Sequence, residues 1–220
     1  MAERKKFIEV KIPILETTVR VLGTIKDLNG KTIQLDLSRK LRGRGLTVTF
    51  QIFEDNKELL AIPKKMELVK SYIRKMLRKR ISYVEDSYLA NCKDIRATVK
   101  PFLITRKRVS RAVRKNLRNT CKEFLTEYLK EVDYNDACES ILNGTLQKEM
   151  LPKLKKVYPL SFCDIRIFET KELEKIKIDK ISNENIVKEI KDKEHFGQNE
   201  PNEKEIDEEK EVKKTVKKKK

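Results

Sequence analysis

Near Arg106 the apolar residues of this chain change their spacing from every second position to every third or fourth, a pattern that calls for strands followed by helices. Leu46 to Phe53 alternates and sets Leu46, Val48, Phe50 and Ile52 on one side; Lys31 to Leu37 sets Ile33, Leu35 and Leu37 against Thr32, Gln34 and Asp36. Asn29-Gly30 is a turn signal just before that run. Lys57–Ile62, Ile81–Tyr88 and Asp94–Thr105 are further predicted strands, and Glu67–Lys79 reads as a short helix burying Leu68, Tyr72, Ile73, Met76 and Leu77. Beyond Arg106 a helical period aligns Val109, Val113, Leu117, Cys121, Phe124 and Tyr128, with Ala112, Thr120 and Leu125 beside them. Helices are predicted over Val109–Val132, over Asn135–Leu142 with Asn143-Gly144 as its end, and over Leu146–Tyr158. Pro152 marks either a kink in the last helix or a later start at Leu151. Ser161–Phe168 returns to strand. The fold expected is α+β: a mostly antiparallel, barrel-like sheet in the first half, a packed helical segment and one late returning strand.

The periodic pattern ends near Lys180. Residues 1–180 are long enough to bury one core and show no internal repeat or linker. Residues 181–220 are charged, acidic and then basic from Gly197 onward, and carry too little apolar surface to offset the entropy of ordering. A disordered tail is expected there, apart from a helical turn over Glu184–Lys193.

The chain has 52 Lys and Arg against 35 Asp and Glu, a formal net charge of +17, which is the electrostatic signature of a polyanion binder. No apolar run approaches the roughly 20 residues needed to span a bilayer, and Met1–Lys6 is too short and too charged for a signal peptide. Cys92, Cys121, Cys138 and Cys163 are scattered without a C-x-x-C pair, so buried free thiols in a reducing cytosol are expected rather than a zinc site. The sole histidine, His195, lies in the tail, which removes Ser-His-Asp and Cys-His catalysis from the folded part. Glu85 and Asp86, adjacent in a predicted strand, point to opposite faces and read as solvent or turn charges. No phosphate-cradling glycine motif is present; LRGRG holds only a G-x-G pair. No catalytic residue, metal, cofactor, membrane or small-molecule substrate is expected.

Three basic stretches remain. Ile95 to Lys122 contains ten Lys or Arg and no acid, and on the predicted helix Lys107, Arg111, Arg114, Lys115, Arg118 and Lys122 project away from the apolar face. The phosphate contacts predicted first are Arg106, Lys107, Arg108, Arg111, Arg114, Lys115 and Arg118. The glycine-containing loop supplies Arg39, Lys40, Arg42 and Arg44 as a second set, since glycine permits close approach and guanidinium forks match phosphate oxygens. Lys70 through Arg80 is the third. There is no Trp, and the aromatics fall mostly at inward positions, so recognition through shape and phosphates is expected rather than an aromatic stacking platform.

The order of these pieces resembles the small-subunit ribosomal protein family shared by archaea and eukaryotes and known as S-three-a. LNGKTIQLDL, Leu28 to Leu37, is similar to the family's opening strand; Asp94 to Arg108 to its long strand leaving into a basic run; RKRVSRAVRKNLRNTCKEF to its arginine-rich helix; and VYPLSFCDIRIF, Val157 to Phe168, to its late strand. The similarity spans most of Lys11 to Leu173. Two features depart from it: the basic N-terminal extension of eukaryotic members is absent, as in an archaeal-type member, and the helix lacks their Thr-Ser-Tyr sequence. The resemblance implies a cytoplasmic structural constituent of the small ribosomal subunit. It also implies contacts with ribosomal RNA on the platform near that RNA's 3′ end, with neighbouring platform proteins, and with messenger RNA near its exit. A free RNA-binding assembly factor and an RNA-processing enzyme are the alternatives; sedimentation separates the first, and the second lacks a constellation of tuned groups.

Overall fold

A computed structural model of the protein describes residues 5–55, 58–171 and 173. The chain opens with β1 (Lys6–Ile12), a 3-10 turn (Pro13–Leu15) and β2 (Thr17–Gly23), a hairpin in antiparallel register from Lys6 opposite Gly23 to Ile12 opposite Thr17. Then follow α1 (Ile25–Leu28), β3 (Thr32–Asp36), β4 (Leu46–Asp55), β5 (Glu58–Leu68) and α2 (Lys70–Met76). The second half runs β6 (Tyr83–Glu85), β7 (Tyr88–Asn91), β8 (Arg96–Thr105), α3 (Arg111–Glu131), α4 (Tyr134–Asn143), α5 (Thr145–Val157) and β9 (Leu160–Thr170).

The strands form one mixed sheet, so the fold is α+β as expected, but the sheet is open and does not close into a barrel. Two long strands organise it. β4 lies along the whole of one edge of β5, while β1 and β9 share the other edge, β1 in the sole parallel pairing among the described residues. β9 likewise lines one edge of β8, and β7 and β6 follow each other along the opposite edge. Alternation explains what is buried: Leu46, Val48, Phe50 and Ile52 are each at most 1% exposed. Side chains standing on one face of a pleated strand meet one another there and leave the intervening ones in water.

Several boundaries differ from the sequence expectation. The strand expected to stop at Ile62 runs on to Leu68 through a bulge: Phe50 lies opposite Pro63 and Thr49 opposite Lys65, so Lys64 is an extra residue of β5 and Pro63 sits at the irregularity, where proline is tolerated in a sheet. That leaves Leu68 in the strand and shortens the helix to Lys70–Met76, with Ile73 buried and Leu77 exposed. The single strand expected over Ile81–Tyr88 is two, β6 and β7, separated at Asp86-Ser87. The third C-terminal helix starts at Thr145 and carries Pro152 within it, so the later start at Leu151 is excluded. The β1–β2 hairpin had no counterpart in the sequence reading. The expected tail, 181–220, lies outside the described residues.

α3 packs its apolar face on α5 and β7. Leu117, Cys121, Phe124, Leu125 and Leu129 are buried there, and the Cys121 thiol lies 3.6 Å from the Met150 sulfur of α5. Cys92, Cys121 and Cys138 are buried free thiols and Cys163 is half-buried. Burial pushes Cys92 up to about 11, aided by Asp94 and Asp133, and Cys121 up to about 12.

Candidate nucleic-acid interface

The basic stretch begins where β8 ends. Thr105 ties that end to the segment entering β6: its Oγ1 has its one proton shared between the carbonyls of Lys107 at 2.7 Å and Ser82 at 2.9 Å and accepts from Ser82 N–H at 3.1 Å. The Val109 N–H in turn donates to Ser82 Oγ at 3.2 Å. These bonds hold the backbone on either side of Arg106, Lys107 and Arg108 to Ser82, which follows Arg78, Lys79 and Arg80 in the chain. All six of those cations are exposed.

The helix then starts on Ser110, whose Oγ accepts from Val113 N–H at 3.4 Å. Arg111, Lys115 and Arg118 are exposed; Arg114 is half-buried, and its Nε lacks a hydrogen-bond partner among the described residues. None of these four is ion-paired with a carboxylate among the described residues, whereas Lys11, Arg20, Lys65, Lys100 and Arg166 elsewhere are paired. The first turn of α3 contains no acid, and Glu123, Glu127 and Glu131 are all held back to its second half. Cations at the positive end of a helix dipole are unfavourable for the folded chain, by a few tenths to about 1 kcal/mol each in water. Helix stability therefore does not account for the placement; an external anion would.

The glycine-containing loop is built differently. Asp36 Oδ1 accepts from Ser38 N–H at 2.9 Å and from its hydroxyl, which holds that carboxyl below its usual range. Gly43 N–H donates to Ser38 O at 2.9 Å, and Gly43 sits at φ +89°. Gly45 abuts α2, where an added Cβ would lie 2.8 Å from Tyr72 Cβ. Arg39, Lys40 and Arg42 are exposed at the tip. Arg44 is not among them. Its Nε and Nη2 donate to Asp164 at 3.0 and 2.6 Å, and its Nη1 donates to the carbonyls of Ile141 and Leu142 at 2.6 and 3.2 Å. With its side chain 16% exposed and that of Asp164 5%, Arg44 is occupied in closing the end of α4 against β9. It is removed from the phosphate-contact set, because four of its five N–H donors are directed at acceptors inside the protein.

Two of the three basic stretches are thus joined at Ser82–Thr105, and α2 links them to the loop through Gly45. No hydrogen bond or ion pair connects Arg39, Lys40 or Arg42 directly to α3 among the described residues. Glu85 is not idle either: it accepts from Arg166 at 2.7 Å. Among the described residues no helix is long and apolar enough to cross a membrane. Among the described residues most aromatic rings are inward, with two exceptions missed in sequence: Phe7 and Tyr83 are 72% and 56% exposed. Alternation could have flagged Phe7, since Ile8, Val10 and Ile12 take the inner side of β1.

Residues 3–175 match the Ribosomal S3Ae family. The chain is 27% identical over 182 residues to the small ribosomal subunit protein eS1 of Nanoarchaeum equitans, covering 79% of this chain and 92% of that protein. It is 23% identical over 180 residues to the protein of the same name from Desulfurococcus amylolyticus, covering 77% and 83%. With the eS1 protein of Methanothermobacter thermautotrophicus it shares 29% identity over 100 residues, 45% of this chain and 51% of that one.

Proposed function

This chain belongs to the Ribosomal S3Ae family, and on that premise we propose that it is a structural, non-enzymatic protein of the small ribosomal subunit that neutralises phosphates of the subunit's RNA. A place in that subunit puts it in the cytoplasm. The contacts are made by Arg106, Lys107, Arg108, Arg111, Arg114, Lys115 and Arg118, with Arg39, Lys40 and Arg42 as a second, smaller set. The observation that carries this is the acid-free first half of α3: Arg111 and Arg114 stand in its first turn, the wrong end of a helix dipole, and Lys115 and Arg118 follow, none with a carboxylate partner among the described residues, on a backbone tied down by Thr105. A phosphate backbone supplies the missing counter-charge, and release of its condensed cations supplies much of the binding free energy. A position on the platform, near the 3′ end of the RNA and the messenger exit, with platform proteins as neighbours, is supported by family membership alone.

Binding of the full chain to small-subunit ribosomal RNA, followed by filter retention across a salt series, tests the phosphate contacts. Replacing Arg111, Arg114 and Arg118 together by Ala should lower the log-log salt slope by about two to three units. An unchanged slope would remove α3 as the contact face. Sedimentation of cell extract tests residence: the protein should stay with the small subunit through a high-salt wash, and its loss there would favour a free assembly factor.

A further inference from the structure

We propose that Tyr83 is a base-stacking platform set in the cationic junction, taking an unpaired nucleobase of RNA whose flanking phosphates lie on Arg80 and on Arg106–Arg108. This deepens the RNA-binding reading and rests on it. Tyr83 opens β6 opposite Ile104, one residue after Ser82, whose backbone and hydroxyl are bonded to Thr105 and Val109. The ring is therefore held within a residue or two of the point where the two basic stretches meet. One side of it rests on Phe102, with centroids 6.4 Å apart, and Phe102 in turn meets Phe162 at 6.2 Å and Phe162 meets Tyr72 at 6.0 Å. Phe102 is fully buried, yet Tyr83 at the end of the row is 56% exposed. No hydrogen bond engages its hydroxyl among the described residues.

An aromatic ring backed by a buried one loses little freedom when a second planar group covers it, and every nucleobase has a face to offer. The charges fit the same ligand. A nucleotide laid on the ring carries its phosphates to the Ser82–Thr105 end of the β6–β8 ladder, where Arg78, Lys79 and Arg80 lead into β6 and Arg106, Lys107 and Arg108 leave β8. Arg80 adopts a left-handed φ of 63°, which turns the chain between α2 and β6 at this point. Phe7, the other exposed ring, has no such setting; it faces Leu22 across the β1–β2 hairpin, with Glu9 next along the same strand face.

The test uses the full chain and three probes: a single-stranded uridylate dodecamer, an RNA duplex of the same length, and inorganic polyphosphate, which carries the charge without bases. Tyr83→Ala should weaken uridylate binding about ten-fold, the size of one base–aromatic stack, and leave polyphosphate binding within two-fold. Tyr83→Phe should bind all three probes like the parent, and Tyr83→Leu, which keeps apolar bulk over Phe102, should behave like Tyr83→Ala. The duplex, whose bases are already stacked, should be insensitive to all three substitutions. Equal uridylate affinity for the parent and both Tyr83→Ala and Tyr83→Leu overturns the stacking role while leaving the phosphate reading intact. Parallel losses on uridylate and polyphosphate also overturn it, since the ring would then only be shaping the charged surface. A parent chain that binds no probe sinks both the stacking proposal and the reading beneath it.

Discussion

Arg44 shows what a sequence position can hide. In the string RKLRGRG its guanidinium is indistinguishable from those of Arg39 and Arg42, because the partner that occupies it, Asp164, is 120 residues away. Asp164 also accepts from Gln147 Nε2 at 2.9 Å and from Ile165 N–H at 2.8 Å, so the carboxylate is fully satisfied inside the protein. Removing one member of such a buried pair leaves the other uncompensated, at a cost of about 3–5 kcal/mol. Arg44→Ala is accordingly expected to lower the unfolding free energy by that amount, read as a drop in the urea midpoint at unchanged slope. Arg44→Lys should recover only part of it, since an ammonium has its donors on one nitrogen and cannot grip both carboxylate oxygens while reaching the two carbonyls. Arg39→Ala and Lys40→Ala, at the exposed tip of the same loop, should change stability by no more than about 0.5 kcal/mol. Each should instead reduce the salt slope of RNA binding by just under one unit. If Arg44→Ala left the urea midpoint where it was, the clasp would have no structural role.

Elements were legible where their period was strong and their ends were not interrupted. Helix α3 matches its predicted span within two residues at each end, because a long apolar stripe, a Ser cap and a polar opposite face all agree. The weak readings failed at proline and at short strands. Pro63 looks like a strand terminator, but it sits beside Lys64, the extra residue of a bulge in β5 that becomes visible only once the register with β4 is known. Pro152 is the converse: the sequence around it is helical enough to carry the helix through, at the cost of one backbone bond to Lys148 and a ring crowding that carbonyl. Pro152 is exposed, so nothing packs on the ring. Pro152→Ala is expected to stabilise the protein by about 1–3 kcal/mol, the helix-interior penalty of proline less the extra entropy given to the unfolded chain. Calorimetry should show a higher melting temperature, and an unchanged one would mean that the helix already accommodates the ring at no cost.

For the whole molecule, class was readable and topology was not. Strands followed by helices and a late strand identified α+β, but nothing local tells β5 to gather β1, β4 and β9, or that the sheet stays open. Those pairings are settled by which apolar faces fit together once the chain collapses, and the same collapse buries the thiols. That burial has a pH consequence whose sign follows from linkage. A thiol of ordinary value near 9 in the unfolded chain stands at about 11 for Cys92 and about 12 for Cys121 in the fold. Below pH 9 both states hold the proton and stability is unaffected. Between 9 and 12 the unfolded chain has released protons that the fold retains, so stability falls as pH rises. Burial raises the Cys138 and Cys163 thiols and the Tyr88 and Tyr134 hydroxyls in the same direction. The thiol contribution is therefore isolated by difference: the urea midpoint of a Cys92→Ala/Cys121→Ala variant should decline less than the parent's from pH 9 to 11, with the two curves parallel from pH 7 to 8.5. Iodoacetamide provides an independent reading, since only thiolate reacts. Cys92 and Cys121 should resist alkylation in the folded protein at pH 8 and react promptly in urea, and rapid labelling in the native state would contradict the burial that raises them, for Cys121 the packing of α3 on α5.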